Sequence, residues 1–140
     1  MTQPKERKGN CLCGAVRVTA TRQGDGLAAC HCTICRKWGG GPLLAVDCGG
    51  EFRIENEANV AVYPSSAWAE RAFCRQCGTH LFYRLKQGPR YFVPVGLFGE
   101  AEPWTLEQQI FIDEKPPFYS FENATTELTG AQVFAQFAPQ

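Results

Sequence analysis

The chain lacks what several classes of protein require. Its fourteen Lys and Arg are matched by fourteen Asp and Glu, so the formal net charge is zero. No basic excess draws it to nucleic acid or to an anionic membrane surface. No apolar run approaches the roughly 18 residues of a membrane-spanning helix. The opening Met-Thr-Gln-Pro-Lys-Glu-Arg-Lys is charged and has no apolar stretch of the signal-peptide kind. Linkers, internal repeats and low-complexity tracts are missing, as are a serine triad, a phosphate loop and paired carboxylates. What is left is a chain of 140 residues, enough for one domain with a usable core. Its expected setting is a reducing, cytoplasmic compartment, with no nucleic-acid or membrane partner.

Cysteine, by contrast, is plentiful and clustered. Seven of the eight cysteines form Cys11-Leu-Cys13, Cys30-His-Cys32-Thr-Ile-Cys35 and Cys74-Arg-Gln-Cys77, while Cys48 stands alone. An odd set of thiols in a reducing compartment suits metal better than disulfides. A Cys-x-Cys pair is also too close along the chain to bridge itself without strain. A closed structural zinc takes four ligands, and a site with an open position takes three from the protein. The clusters divide that way, as two pairs and a triplet, which gives two Zn²⁺ per chain.

Cys11, Cys13, Cys74 and Cys77 read as an all-thiolate tetrahedron that staples segments about sixty residues apart. Gly14 and Gly78 follow the second cysteine of each pair, where a tight turn with φ > 0 would aim backbone N–H groups at the sulfurs. Cys30, Cys32 and Cys35 read as three thiolates on one turn that hold zinc and leave a fourth position open. Such a metal is a poor Lewis acid and a good partner for another soft ligand. Arg36 and Lys37 follow directly, placed to offset charge or to hold a substrate carboxylate. The alternative closes the triplet with His31, His80 or Cys48. His31 lies between two ligands and should point away from the metal as a hydrogen-bonded structural residue. His80 reads as structural, and Cys48 as a free, inert thiol. Trp38 is close enough to the triplet to line a pocket.

Residues 1–8 read as a polar, mobile lead-in and 9–138 as a single zinc domain. The domain reads as mainly β, with short strands between Gly, Pro and Asn signals. Candidate strands are 16–19, 43–46, 60–63, 72–74, 81–85, 91–97 and 109–112. Pro94 confines its strand to an edge or a bulge. One helix is expected at 131–137, capped by Thr129, with Val133, Phe134 and Phe137 on one face.

Three stretches, Gly-Asn-Cys-Leu-Cys-Gly-Ala-Val, Cys-His-Cys-Thr-Ile-Cys-Arg-Lys and Phe-Cys-Arg-Gln-Cys-Gly-Thr-His-Leu-Phe, resemble the glutathione-dependent formaldehyde-activating family, which includes the centromere protein V group. The resemblance runs from about Gly9 to Phe121. It implies an Mss4-like zinc-bound β domain, with structural zinc at Cys11, Cys13, Cys74 and Cys77 and catalytic zinc at Cys30, Cys32 and Cys35. The activity it implies is condensation of glutathione with formaldehyde to S-hydroxymethylglutathione, a carbon–sulfur lyase run in reverse.

Two functions follow as expectations. In the first, the chain is a zinc-dependent carbon–sulfur lyase acting on a thiol such as glutathione or on a thiol–aldehyde adduct, with Arg36 holding an anionic group. In the second, it is a non-catalytic zinc scaffold that meets a protein partner through exposed aromatics among Trp104 to Phe121. A protein ligand in the fourth position of the triplet favours the scaffold; an open position favours the enzyme.

Overall fold

The computed structural model describes residues 5–22, 24–99 and 103–137. In chain order the strands and helices are β1 (Lys5–Asn10), β2 (Arg17–Arg22), β3 (Gly26–Cys30), α1 (Thr33–Gly39), β4 (Leu43–Gly49), β5 (Phe52–Glu55), β6 (Val60–Tyr63), β7 (Ala69–Cys74), β8 (His80–Leu85), β9 (Arg90–Pro94), β10 (Thr105–Ile110), β11 (Thr126–Leu128) and α2 (Gly130–Phe137). The fold is therefore mainly β with a short C-terminal helix. Its residues group into two compact units, Met1–Asp25 with Val46–Pro103, and Gly26–Ala45 with Trp104–Gln140.

In the first unit β2 is the middle of a three-stranded antiparallel sheet, with Ala20 opposite Arg7 on β1 and Val18 opposite Ile54 on β5. Val18 and Ala20 are buried while Arg17 and Thr21 are exposed, the period of two that a half-buried strand requires. Strands β6 to β9 form an antiparallel meander in which Ala72 sits opposite both Val62 and Phe82. Rings from β5, β8 and β9 meet in its core. Phe82 lies edge-on to Phe52 and Tyr91 at 5.9 and 5.1 Å, and Phe52 is 4.8 Å from Tyr91. Arg84 lies over Phe82 and Tyr91 and is held there by Glu70, Nη2 to Oε1 2.6 Å.

Lys5–Lys8, expected as lead-in, belong to β1 in the structure. No apolar alternation marks these residues. The strand is held by pairing with β2 and by the buried Arg7, whose guanidinium hydrogen-bonds Asp25. Residues 1–4 of that expectation, and residue 138 at the domain's end, lie outside the described residues. Pro94 ends β9 and starts a 3-10 turn over Val95–Phe98, so the strand expected to reach Leu97 stops three residues early.

In the second unit β3 pairs antiparallel with the start of β4 (Cys30 opposite Leu43) and parallel with β10, which pairs parallel with β11. β10 stops at Ile110, because Phe111 takes a left-handed conformation at φ 54 and a 3-10 turn follows over Ile112–Glu114. Thr129 caps α2 reciprocally. Its Oγ1 accepts from Gln132 N at 3.2 Å, and its N–H donates to Gln132 Oε1 at 2.7 Å. Val133 is buried, and the Phe134 ring meets Phe111 edge-on.

Truncating Phe82, which is 1% exposed, is expected to cost about 3–5 kcal/mol of unfolding free energy. Thr129→Ala is expected to cost about 0.5–2 kcal/mol. Denaturant unfolding checks both, and an unchanged midpoint for Phe82→Ala would contradict the central place given to the ring cluster.

Candidate metal centres

Two knuckles build the four-cysteine centre, both in the first unit. Cys11 follows β1, and Cys74 closes β7. Each knuckle turns on the same bonds. Cys11 N donates to Val16 O (3.1 Å) and Gly14 N to Cys11 O (3.0 Å); Cys74 N donates to Thr79 O (2.9 Å) and Gly78 N to Cys74 O (2.9 Å). Gly14 and Gly78 have φ 79 and 78, and nothing lies within 4 Å of where a Cβ would stand. Backbone conformation selects glycine here, and space does not.

The four Sγ atoms lie within 4.8 Å of one another. The Cys11–Cys13 and Cys13–Cys74 sulfurs are 3.6 and 3.8 Å apart. That is far beyond a disulfide at about 2.05 Å, and all eight cysteines are free. It matches the edge of a tetrahedron whose centre is about 2.3 Å from each sulfur, roughly 3.8 Å. The donor set and its spacing fit zinc.

Protein donors already face these sulfurs. Val16 N reaches Cys11 Sγ at 3.3 Å, Asn59 Nδ2 reaches Cys74 Sγ at 3.1 Å, and Thr79 Oγ1 lies 3.1 Å from Cys77 Sγ. The hydroxyl and N–H of Thr79 draw the Cys77 thiol down to about 5. At Cys13 the Ala15 N–H also pulls down, but burial and the three neighbouring thiols outweigh it and push the thiol up to about 12. The Cys77 and Cys13 thiols are thus driven in opposite directions, and a bound dication would remove that conflict.

The triplet lies wholly in the second unit. It is not one turn, as its spacing suggests, but the end of a strand joined to the start of a helix. Cys30 closes β3, Cys32 caps α1 and Cys35 lies in its first turn. The Cys32 sulfur accepts the Cys35 N–H at 3.3 Å, as a capping oxygen would. Glu114 Oε1 takes the Thr33 N–H at 2.9 Å, a carboxylate at the positive end of the helix. Helix α1 was missed because seven residues with Thr and Ile are too few to show periodicity. Its usable signal was the stop, Arg36-Lys37 followed by glycines, with Gly40 N donating to Arg36 O at 2.8 Å. The three sulfurs lie within 4.8 Å of one another. The thiols of Cys32 and Cys35, and then burial, push the Cys30 thiol far up. Three crowded soft donors of this kind also fit zinc.

His31 is fully buried between two of these cysteines and is no ligand. Its Nε2 is 2.8 Å from Gln109 Oε1, and its Nδ1 is 2.8 Å from the Tyr119 hydroxyl. Gln109 Nε2 donates to Thr125 Oγ1 at 3.0 Å. The glutamine therefore shows His31 its carbonyl oxygen, Nε2 carries a proton, and the Tyr119 hydroxyl pairs with Nδ1. His31 N donates to Ile110 O, and its carbonyl accepts from Arg36 Nε at 2.9 Å. The residue pins the loop that carries the ligands. Gln109 and Tyr119, which complete the pin, could not be found in the sequence: they are 78 and 88 residues away, with no local motif.

Among the described residues no fourth His, Cys, Asp or Glu atom joins the three sulfurs at that distance. His80 is half-buried, with its pKa lowered by burial and by Arg71. Cys48 is buried, and burial pushes its thiol up to about 12. Arg36 is half-buried and Lys37 exposed. Of the aromatics among Trp104 to Phe121, Phe118 is 80% exposed, whereas Trp104, Phe111, Tyr119 and Phe121 are half-buried.

Both clusters lie within a stretch that matches a known family. Residues 6–114 match the family model described as glutathione-dependent formaldehyde-activating enzyme, and the chain belongs to that family. It is 39% identical to an uncharacterized lyase of Schizosaccharomyces pombe over 91% of this chain and 94% of that protein. A putative glutathione-dependent formaldehyde-activating enzyme of Podospora anserina is 31% identical, covering 84% of this chain and 54% of its own length. The crystal structure of a Rhodobacter sphaeroides protein superposes with a TM-score of 0.58 at 26% identity, over 70% of this chain and 99% of that one.

Cys74 is fully buried and its centre joins distant segments, whereas Cys35 belongs to a local loop. A structural zinc supplies an apparent ~10–16 kcal/mol towards folding, as much as a whole domain's net stability of about 5–15 kcal/mol. Cys74→Ser is therefore expected to yield insoluble or molten protein, and Cys35→Ser a folded chain short of one metal. Melting curves with metal analysis decide this, and an unaltered transition in Cys74→Ser would refute the assignment.

Proposed function

We propose that the chain is a zinc-dependent carbon–sulfur lyase of the S-hydroxymethylglutathione synthase type. It would act on a small thiol such as glutathione, or on the thiol's aldehyde adduct, in a reducing cytoplasmic setting, with residues 9–138 as its functional domain. Cys11, Cys13, Cys74 and Cys77 hold a structural zinc. Cys30, Cys32 and Cys35 hold the catalytic one. The observation that carries this reading is the contrast between the clusters: four thiols closed on one another, and three with no fourth protein ligand beside them among the described residues. The family's name and the lyase name of the yeast relative point the same way.

Zinc at the triplet would supply a soft acceptor that binds the substrate thiol as its thiolate. The chain's own groups do the rest. His31, locked by Gln109 and Tyr119, fixes the loop so that the three sulfurs keep one geometry. Arg36 spends its Nε on the His31 carbonyl and directs the rest of its guanidinium to a substrate carboxylate, by two hydrogen bonds where geometry permits. Lys37, exposed, adds only a screened charge. In the synthetic direction the sulfur adds to the aldehyde carbon, and the carbonyl electron pair moves to oxygen, which takes up the proton that the thiol lost. The lyase direction reverses each transfer.

A zinc scaffold for a protein partner is the second reading. The exposed Phe118 ring is the observation in its favour.

Calorimetry with glutathione on the zinc-loaded protein separates the two. Arg36→Ala is expected to weaken binding by about 1–3 kcal/mol if its pair with the thiol's carboxylate forms away from water, and Lys37→Ala to do less. Metal content of Arg36→Ala is measured alongside, because Arg36 also braces the loop. If no thiol binds at millimolar concentration, the lyase reading fails and the scaffold takes its place.

A further inference from the structure

We propose that Thr79 is a positioning residue of the four-cysteine centre, its side-chain hydroxyl locking the two knuckles together and slowing loss of the metal. This rests on reading that centre as a metal site.

Thr79 commits every polar atom it has to the centre. Its carbonyl accepts the Cys74 N–H at 2.9 Å. Its N–H faces the Cys77 sulfur. Its Oγ1 accepts the Leu12 N–H at 3.1 Å and lies 3.1 Å from Cys77 Sγ. The direction of the last bond follows. The Leu12 amide can only donate, so it occupies a lone pair of the hydroxyl. A metal-bound cysteine sulfur has no proton to give. The threonine proton therefore goes to the Cys77 sulfur.

One hydroxyl, 67 residues along the chain from Leu12, thus joins a backbone amide in the middle of the first knuckle to a ligand of the second. The Leu12 side chain is 88% exposed and gives that knuckle no packing anchor. Two other sulfur donors act within the ligands' own neighbourhoods: Val16 N on Cys11, and Asn59 Nδ2 on Cys74, whose strand pairs with β6 just beyond Asn59. The Cys13 N–H also reaches the Cys77 sulfur, but it is backbone and common to any residue there. The Cys13 thiol reaches Gln76 Oε1 at 3.5 Å, as a donor, and that bond ends when the thiol gives up its proton to a metal. The Thr79 hydroxyl keeps its bond in both states. It holds the sulfurs near their final spacing before metal arrives and shares the charge of the thiolate afterwards.

Thr79→Val keeps the shape and removes the hydroxyl; Thr79→Ser keeps the hydroxyl and removes the methyl. The full zinc-loaded chain is challenged with an excess chromophoric chelator, and release is followed in time. In the wild type the triplet zinc should leave fast and the four-cysteine zinc slowly. Thr79→Val is expected to speed the slow phase alone by about 10–100-fold, the usual effect of removing a partner of a metal ligand. Thr79→Ser should restore it. Serine behaving like valine, or a slow phase unmoved in Thr79→Val, would overturn the proposal. A wild type with no slow zinc would instead overturn the reading on which it rests. Should Thr79→Val not fold, the wild type loaded with ¹¹³Cd gives a second test. A scalar coupling between the metal and the Thr79 hydroxyl proton through the Cys77 sulfur is expected, and a hydroxyl proton averaged with solvent would refute it.

Discussion

Four thiols converge on one point of the first unit, and the geometry of that unit follows from the need to tolerate them. Cys13 and Cys74 are 61 residues apart in sequence and 3.8 Å apart at sulfur. Bare thiols gain little at that separation, and thiolates repel. The structure answers with N–H and O–H groups aimed at sulfur and with turns that only a positive φ allows. Each knuckle sits at a strand end, so the sheets supply rigidity and the turns supply direction. A dication at the centre would turn the remaining repulsion into attraction. It would also close a long loop whose entropy otherwise opposes the fold.

The triplet solves a different problem. Its sulfurs come from six consecutive residues, so almost no loop entropy is at stake. The cost lies in holding a short segment still so that its three sulfurs keep one geometry. A buried imidazole does that. With both ring nitrogens and both backbone groups in hydrogen bonds, His31 has no freedom left. The cysteines on either side inherit its position. A cluster so braced needs no fourth protein ligand for its shape, and on the proposed function that place is left to a substrate. The same residue type that sequence reading offers as a fourth ligand is what makes one unnecessary.

Much of this was legible in the sequence because metal ligation is a local code. Paired and triple cysteines at fixed spacing, with Gly14 and Gly78 behind two of them, identify both clusters. Strands such as β2 and β6 were legible from alternation and β-branched residues. β1 was not, since Lys-Glu-Arg-Lys has no apolar face and its strand depends on a buried Arg7 paired with Asp25. α1 was hidden by its length and by a cap that is a cysteine. The partners of His31 were beyond reach for a plainer reason: hydrogen bonds across 78 and 88 residues leave no trace in local pattern.

The central claim is that one centre is closed by the protein and the other is not. Zinc K-edge X-ray absorption on the fully loaded chain measures this directly, as the mean number of sulfurs around zinc. One four-sulfur and one three-sulfur site average (4 + 3)/2, about 3.5 sulfurs per zinc, with light atoms making up the tetrahedra. Saturating glutathione should raise the average towards four. Four sulfurs before any thiol is added, or an average that thiol leaves unmoved, would contradict the account.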